Sequence, residues 1–330
     1  MKAQVIRTFG DPDVFKIEDI PKPEIEPGHL LIKVHASSVN QVDCKIRRGE
    51  APSIAPEFPA VLHSDVAGTV EEVGEGVKDF QVGDEVYGCA GGMRGCEGGA
   101  LAEYLLADAH LIAKKPKSLS FGEAAALPLV TLTSWIALFS KGSLTTNMNI
   151  LIHGGLGGVG HIAVQLAKWK GAKIYTTVGS DASFDQVREL GADFVINYKS
   201  QNVGEYVARF TETKGFDFVF DTVGGKNLDN SFEAAALNGR VATTQARSMH
   251  DLTPLHQKGL SFHVVFMLIP LIYGVERKGH GEILTKAADL VDQGKLKPLL
   301  CEEQFSLDQV SAAHALMESG KARGKIILNY

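Results

Sequence analysis

The residues best suited to do chemistry lie between 150 and 168. An apolar strand, Ile150-Leu151-Ile152, runs into Gly155-Leu156-Gly157-Gly158-Val159-Gly160 and on into a helical stretch, His161 to Lys168. This is the context of a dinucleotide site: the first glycine permits a tight turn, the second lets the backbone approach a pyrophosphate, and the third lets helix and strand pack closely. The phosphates would rest on the helix N-terminus, where unpaired N–H groups and the helix dipole favour negative charge. With 35 glycines in the chain, it is the flanking strand and helix that give this turn its meaning. The carboxylate that would hold the ribose 2′-OH of NAD is missing about 20 residues further on. The next strand, Lys173 to Val178, ends in Gly179-Ser180, and the first acid, Asp181, falls past the expected place. A neutral turn with a hydroxyl leaves room for a 2′-phosphate and favours NADPH over NADH. Ser180 suits the cap of a following helix equally well, and the two roles are compatible.

These groups must be held by a chain of 330 residues, long enough for two domains with their own cores. Hydrophobic residues make up 45% and charged residues 22%, ordinary for a globular protein. The balance of 33 Lys and Arg against 39 Asp and Glu, with no basic block, argues against nucleic acid or an anionic membrane as partner. Four scattered cysteines suit a reducing compartment, and the N-terminus, Met1-Lys2-Ala3-Gln4-Val5, reads as a strand rather than a signal peptide. A cytoplasmic protein is expected. The greasiest stretch, Val264 to Ile272, is interrupted by Pro270 and too short to span a membrane. It reads as a buried strand or an interface.

From residue 1 to about 115, short alternating runs such as Leu30 to Val34 and Val66 to Val70 are punctuated by Gly and Pro, the pattern of an irregular β-rich domain. From about 121, helical patterns at Phe121 to Leu127 and Ser134 to Phe139 alternate with compact strands at Ile150–Ile152, Ile174–Thr177, Phe194–Ile196, Phe218–Phe220 and Arg240–Thr243. That alternation predicts an α/β fold with a doubly wound parallel Rossmann sheet over 121–270. Helices at Glu282 to Gln293 and Leu307 to Ser319 and a closing strand, Lys325 to Asn329, would rejoin the first domain, giving it residues 1–120 and 271–330.

Several segments together resemble the medium-chain dehydrogenase/reductase superfamily and, within it, the zinc-independent, zeta-crystallin-like quinone oxidoreductases. They are Ala36 to Asp43, Phe58-Pro59-Ala60-Val61, Asp65 to Val70, Val82 to Val86, Gly98 to Tyr104, the glycine turn, Leu190 to Asp193 and Gly320 to Leu328. The resemblance spans essentially the whole chain and implies that the β-rich domain is GroES-like and catalytic. Zinc-dependent relatives need a catalytic Cys, a Gly-His-Glu segment and a further ligand. Asn40 stands at the place of that Cys, and His63-Ser64-Asp65 at the place of Gly-His-Glu, so that Ser64 replaces the ligand histidine. Only Cys89 and Cys96 fall where relatives carry a four-cysteine structural lobe. No zinc is expected, and His63 is read as a packed or hydrogen-bonded side chain.

The resemblance implies that Asn40 lies beside the nicotinamide and the acceptor, where its amide would donate to a developing oxyanion; a buried amide serving the backbone is the alternative. Asp43 is read as organising the loop. Lys45, where some relatives carry a Tyr near substrate, is a candidate to polarise a carbonyl or relay a proton. Thr133 corresponds to a family threonine near the nicotinamide, and Tyr198 to a tyrosine at the 2′-phosphate. Ser183 replaces a frequent Lys there, and Arg323 or Lys321 would compensate. The expected activity is NADPH-dependent hydride transfer to a quinone or other conjugated carbonyl without zinc. An enal or haloacrylate-type double-bond reductase and a non-catalytic NADPH-binding regulator are the alternatives. The apolar strand from Ser261 to Met267, if it lies at a sheet edge, would be covered by a second copy in a homodimer.

Overall fold

The computed structural model describes every residue from Met1 to Tyr330. The chain divides into two compact units, Met1–Leu132 with Leu268–Tyr330, and Thr133–Met267.

The first unit begins with β1 (Lys2–Ile6), β2 (Lys16–Asp19), β3 (His29–Ser38), helix α1 (Gln41–Arg47), β4 (Ala60–Val61), β5 (Asp65–Val73), β6 (Glu85–Cys89), β7 (Tyr104–Asp108) and β8 (Ile112–Lys114). It is completed by β15 (Phe305–Ser306) and β16 (Ile327–Asn329). A small antiparallel sheet has the order β2-β1-β4, and a larger one runs β15-β16-β3-β5-β6-β8, with β7 also on β3. Leu30, Leu31 and Ile32 of β3 are all fully buried, because this central strand is covered on both faces. Helix α2 (Phe121–Ala125) starts at a capping box, with the Ser120 N–H donating to Glu123 Oε2 at 2.8 Å and the Glu123 N–H to Ser120 Oγ at 3.3 Å. It packs on β3, β5 and β16, Gly122 lying against Ile327 and Asn329. That packing is why the first unit continues through Leu132 instead of ending near residue 120. Helix α3 (Pro128–Trp135) follows and runs into a wider π-helical stretch, Ile136–Lys141.

The second unit holds β9 (Asn149–Ile152), α4 (Gly160–Lys170), β10 (Lys173–Val178), α5 (Phe184–Glu189), β11 (Phe194–Asn197), α6 (Val203–Thr211), β12 (Phe216–Asp221), α7 (Asn227–Ala234), β13 (Ala235–Thr243), α8 (Thr253–Gln257) and β14 (Ser261–Val264). All six strands are parallel, in the order β11-β10-β9-β12-β13-β14. The strand order reverses between β9 and β12, the switch point at which such sheets bind ligands beyond their strand ends. Tyr175 stacks on Phe194 with centroids 4.8 Å apart, meets Phe216 edge-on at 4.9 Å and lies 5.6 Å from Phe210 of α6, an aromatic seam that joins three strands to a helix on one face.

Two sequence expectations change. Residues 264–272 do not form one strand: β14 ends at Val264, and helix α9 (Ile269–Tyr273) follows, because Pro270 lacks an N–H and suits a first helical turn. The stretch long and apolar enough to cross a membrane is Phe121–Lys141, and most of its apolar part is buried inside the protein. In the C-terminal part, α10 (Lys278–Asp292) and α11 (Val310–Glu318) match the expected helices, the latter entered through a 3₁₀ turn at Leu307–Gln309.

Candidate active site

In the second unit the glycine turn joins β9 to α4. The left-handed residue is Gly154, at φ +72°, one position before the expected Gly155. Gly155 instead makes a close approach: a Cβ there would stand 2.2 Å from Thr176 Oγ1 on β10. A Cβ on Gly160 would stand 2.0 Å from the Gly154 carbonyl oxygen, which is the tight helix-to-strand packing expected of the third glycine. Gly157 is exposed, and the nearest atom to a Cβ there is 3.2 Å away. Gly158 and Val159 lead into α4, where the Val159 carbonyl accepts from Ser134 Oγ at 3.0 Å. No side chain caps the N-terminus of α4 and its first turn carries no acid, so no side chain of the helix itself offsets the positive end of its dipole. His153, at the end of β9, is buried; burial pushes its pKa down to about 4, and it is neutral.

Beyond the end of β10, Gly179, Ser180 and Tyr198 come together. The Tyr198 N–H donates to the Val178 carbonyl at 3.2 Å, and its half-exposed ring lies over Gly179, with the hydroxyl 3.0 Å from where a Cβ would be. Ser180 Oγ accepts from the Ala182 N–H at 3.3 Å, so it does cap the turn that follows. Asp181 accepts from Asn197 Nδ2 at 2.7 Å, and Ser183 is buried. Thr133 is buried late in α3.

In the first unit Asn40 is buried at the N-terminus of α1. Its N–H donates to Asp43 Oδ2 at 2.8 Å and its Nδ2 to Asp65 Oδ2 at 2.7 Å. Its Oδ1 accepts from Lys325 Nζ at 2.5 Å. Asp65 Oδ2 also takes Ser38 Oγ at 2.8 Å and Lys325 Nζ at 3.4 Å, while Oδ1 accepts from the Leu129 N–H at 2.8 Å. The carboxylate thus ties β5 to α1, to the start of α3 and to the C-terminal segment. Asp43, with no exposure, has its pKa pushed up to about 7 by burial; the bond from Asn40 pulls it down, and the charge on Asp65 adds to the rise. Lys45 lies half-buried in the middle of α1. Arg323 and Lys321 are exposed, and the C-terminal cation built into the cluster is Lys325, which sequence reasoning missed. Its only signal was its place in the Gly320 to Leu328 segment. Asp65 likewise had a motif but no assigned role.

His63, at φ +69°, is fully buried beside this cluster. Its Nδ1 lies 3.1 Å from Ser37 Oγ and its Nε2 2.8 Å from His314 Nε2, whose Nδ1 lies 3.4 Å from Cys44 Sγ. The Ser37 hydroxyl donates its single hydrogen to the Asp65 carbonyl at 2.8 Å, which fixes every other proton. His63 Nδ1–H donates to Ser37, His314 Nε2–H donates to His63, and the Cys44 thiol donates to His314. Burial supports this neutral chain: it pushes the Cys44 thiol up to about 12, His314 down to about 3, and His63 well below the usual imidazole range.

Two family descriptions match: an alcohol dehydrogenase GroES-like domain over residues 26–117 and a zinc-binding dehydrogenase over 158–274. The chain is 33% identical to the NADPH-dependent alkenal/one oxidoreductase, chloroplastic, of Arabidopsis thaliana, covering 99% of this chain and 79% of that protein. It is 30% identical to the quinone oxidoreductase of Homo sapiens, covering 99% and 97%. A crystal structure of an alcohol dehydrogenase superfamily protein from Novosphingobium aromaticivorans superposes with a TM-score of 0.94 at 37% identity, covering 100% of this chain and 99% of the other. The glycine turn at the switch point of a parallel sheet, the GroES-like unit and these relatives lead to one conclusion: the chain belongs to the medium-chain dehydrogenase/reductase superfamily, with the quinone oxidoreductases.

Proposed function

We propose that the protein is an NADPH-dependent reductase of quinones and α,β-unsaturated carbonyls that works without zinc. The observation that carries this reading is the state of Asn40: its oxygen is taken by Lys325 and one amide hydrogen by Asp65. With the amide so oriented, its Nδ2 end is the donor we assign to the developing enolate or quinol oxygen.

Zinc is a poor fit to these residues. A catalytic zinc needs thiolate, imidazole or carboxylate ligands around an open position. Here an amide and a hydroxyl, Asn40 and Ser64, stand at two of those places, and an ammonium already lies against Asp65. His63 has both ring nitrogens engaged, and burial pushes the Cys89 thiol well above its ordinary value. The exposed glycine turn with its uncapped helix end fits a pyrophosphate, and the neutral Gly179-Ser180 turn beneath Tyr198 fits a 2′-phosphate, with the Tyr198 hydroxyl and Ser180 as its donors. When bound, the nicotinamide supplies the hydride. Conjugated acceptors suit a site that offers one amide donor and no Lewis acid. Lys45 remains the candidate to assist the carbonyl, and Thr133 the candidate at the nicotinamide.

We also propose a homodimer, because β14 is an edge of the six-stranded sheet, and Val264 at its end and Phe266 just after it are 47% and 40% exposed. Four free cysteines, two of them buried, are the support for a reducing compartment such as the cytoplasm. The test follows NADPH and NADH oxidation in chelator-treated buffer with a simple quinone, a bulky ortho-quinone, an enal and a saturated aldehyde. NADPH-preferring turnover of quinone or enal, with the aldehyde inert, is expected. Activity that the chelator abolishes, or turnover of the saturated aldehyde alone, would overturn the proposal.

A further inference from the structure

We propose that Lys325 is the positioning residue that sets which way the Asn40 amide faces, acting through its hydrogen bond to Asn40 Oδ1. The inference rests on the donor role read for Asn40 above. An ammonium has three hydrogens and no acceptor, and Lys325 Nζ has three acceptors: the Val39 carbonyl at 3.2 Å, Asn40 Oδ1 at 2.5 Å and Asp65 Oδ2 at 3.4 Å. The residue is 2% exposed. No hydrogen is left over for a substrate, so any effect of Lys325 on the reaction passes through another group.

That group is the amide. The two ends of an Asn side chain are nearly alike in size, and their partners decide the orientation. An ammonium faces only the oxygen; a carboxylate faces only the nitrogen. With Lys325 on one side and Asp65 on the other, a flipped amide would set N–H against ammonium and oxygen against carboxylate, both buried. The lock fixes Nδ2 as the end of the side chain that donates and Oδ1 as the end that is occupied. The backbone holds Lys325 in place from both sides: its N–H donates to the Leu299 carbonyl at 2.7 Å, its carbonyl accepts from the Cys301 N–H at 2.9 Å, and the Ile326 carbonyl accepts from the Val39 N–H at 2.9 Å.

The experiment measures kcat and KM with an enal, the NADPH dissociation constant and the melting temperature for N40A, K325M, K325R and N40A/K325M. N40A is expected to lower kcat by about 100-fold, the scale of one lost oxyanion donor. K325M is expected to lower kcat by about 10-fold or more with NADPH binding unchanged, and K325R to recover most of it. N40A/K325M should fall no further than N40A, because Lys325 then has no amide to hold. D65N/K325M replaces the buried pair by neutral groups, should fold where K325M does not, and should show the same loss of kcat. An active N40A overturns the donor role and this inference with it. An impaired N40A beside near-normal K325M or D65N/K325M overturns this inference alone, as does a double variant whose loss is the product of the two single losses.

Discussion

Replacing Asp43 by asparagine should make the protein relatively more stable as the pH rises. Asp43 has no exposure, and burial lifts its carboxyl from 3.8 to about 7. Between these values the folded state keeps a proton that the unfolded chain has released. Stability therefore falls with rising pH through the window from about 4 to about 7 and levels off above it. A displacement of roughly three pKa units corresponds to about 4 kcal/mol once the window is passed. The amide introduced by D43N offers the Asn40 N–H the same kind of acceptor but does not ionise. The advantage of D43N over wild type should then grow by about 2.5 kcal/mol between pH 5 and pH 7.5. His63 and His314 act in the opposite sense, since both are neutral when folded and the unfolded chain gains protons below about 6.5. Their contribution is common to both proteins and cancels in the difference. Scanning calorimetry at a series of pH values measures it. A difference that stays flat within about 0.5 kcal/mol from pH 5 to 7.5 would mean that folded Asp43 ionises at an ordinary pKa, and the assignment would be wrong.

In the glycine turn, G160A places a methyl 2.0 Å from the Gly154 carbonyl and should lower both the melting temperature and NADPH binding, whereas G157A meets nothing closer than 3.2 Å. G157A should melt near wild type yet bind NADPH at least about 10-fold more weakly by fluorescence titration, and normal binding would place the pyrophosphate elsewhere. Y198F should raise the KM for NADPH several-fold and leave that for NADH unchanged, whereas S180A should weaken NADPH in the same way and also cost about 1 kcal/mol of stability through the lost cap. H314A removes the donor to His63 Nε2 and opens a space beside Phe15; a loss of about 3 kcal/mol in calorimetry is expected, and a near-neutral effect would contradict the proton order assigned to the chain from Cys44 to Ser37.

Part of this fold is written in local pattern. Five compact strand runs, the Gly155 to Gly160 turn and the helical pattern from Phe121 to Leu127 are each complete within a few neighbouring residues, because strand period, turn conformation and helix period are short-range effects. The boundary after Leu132 was not legible in this way, since α2 belongs to the first unit only through its packing on β3 and β16. Nor was the shift of the left-handed turn from Gly155 to Gly154: both are glycines, and the β10 side chain that Gly155 must clear decides between them. The cluster at Asn40 depended most on tertiary structure. Residues 40, 65, 129 and 325 meet only when β16 pairs with β3 and α3 docks against β5. In sequence, Lys325 is one basic residue among 33. A buried charge is held by partners that pairing over hundreds of residues brings to it, and no local spacing carries that information.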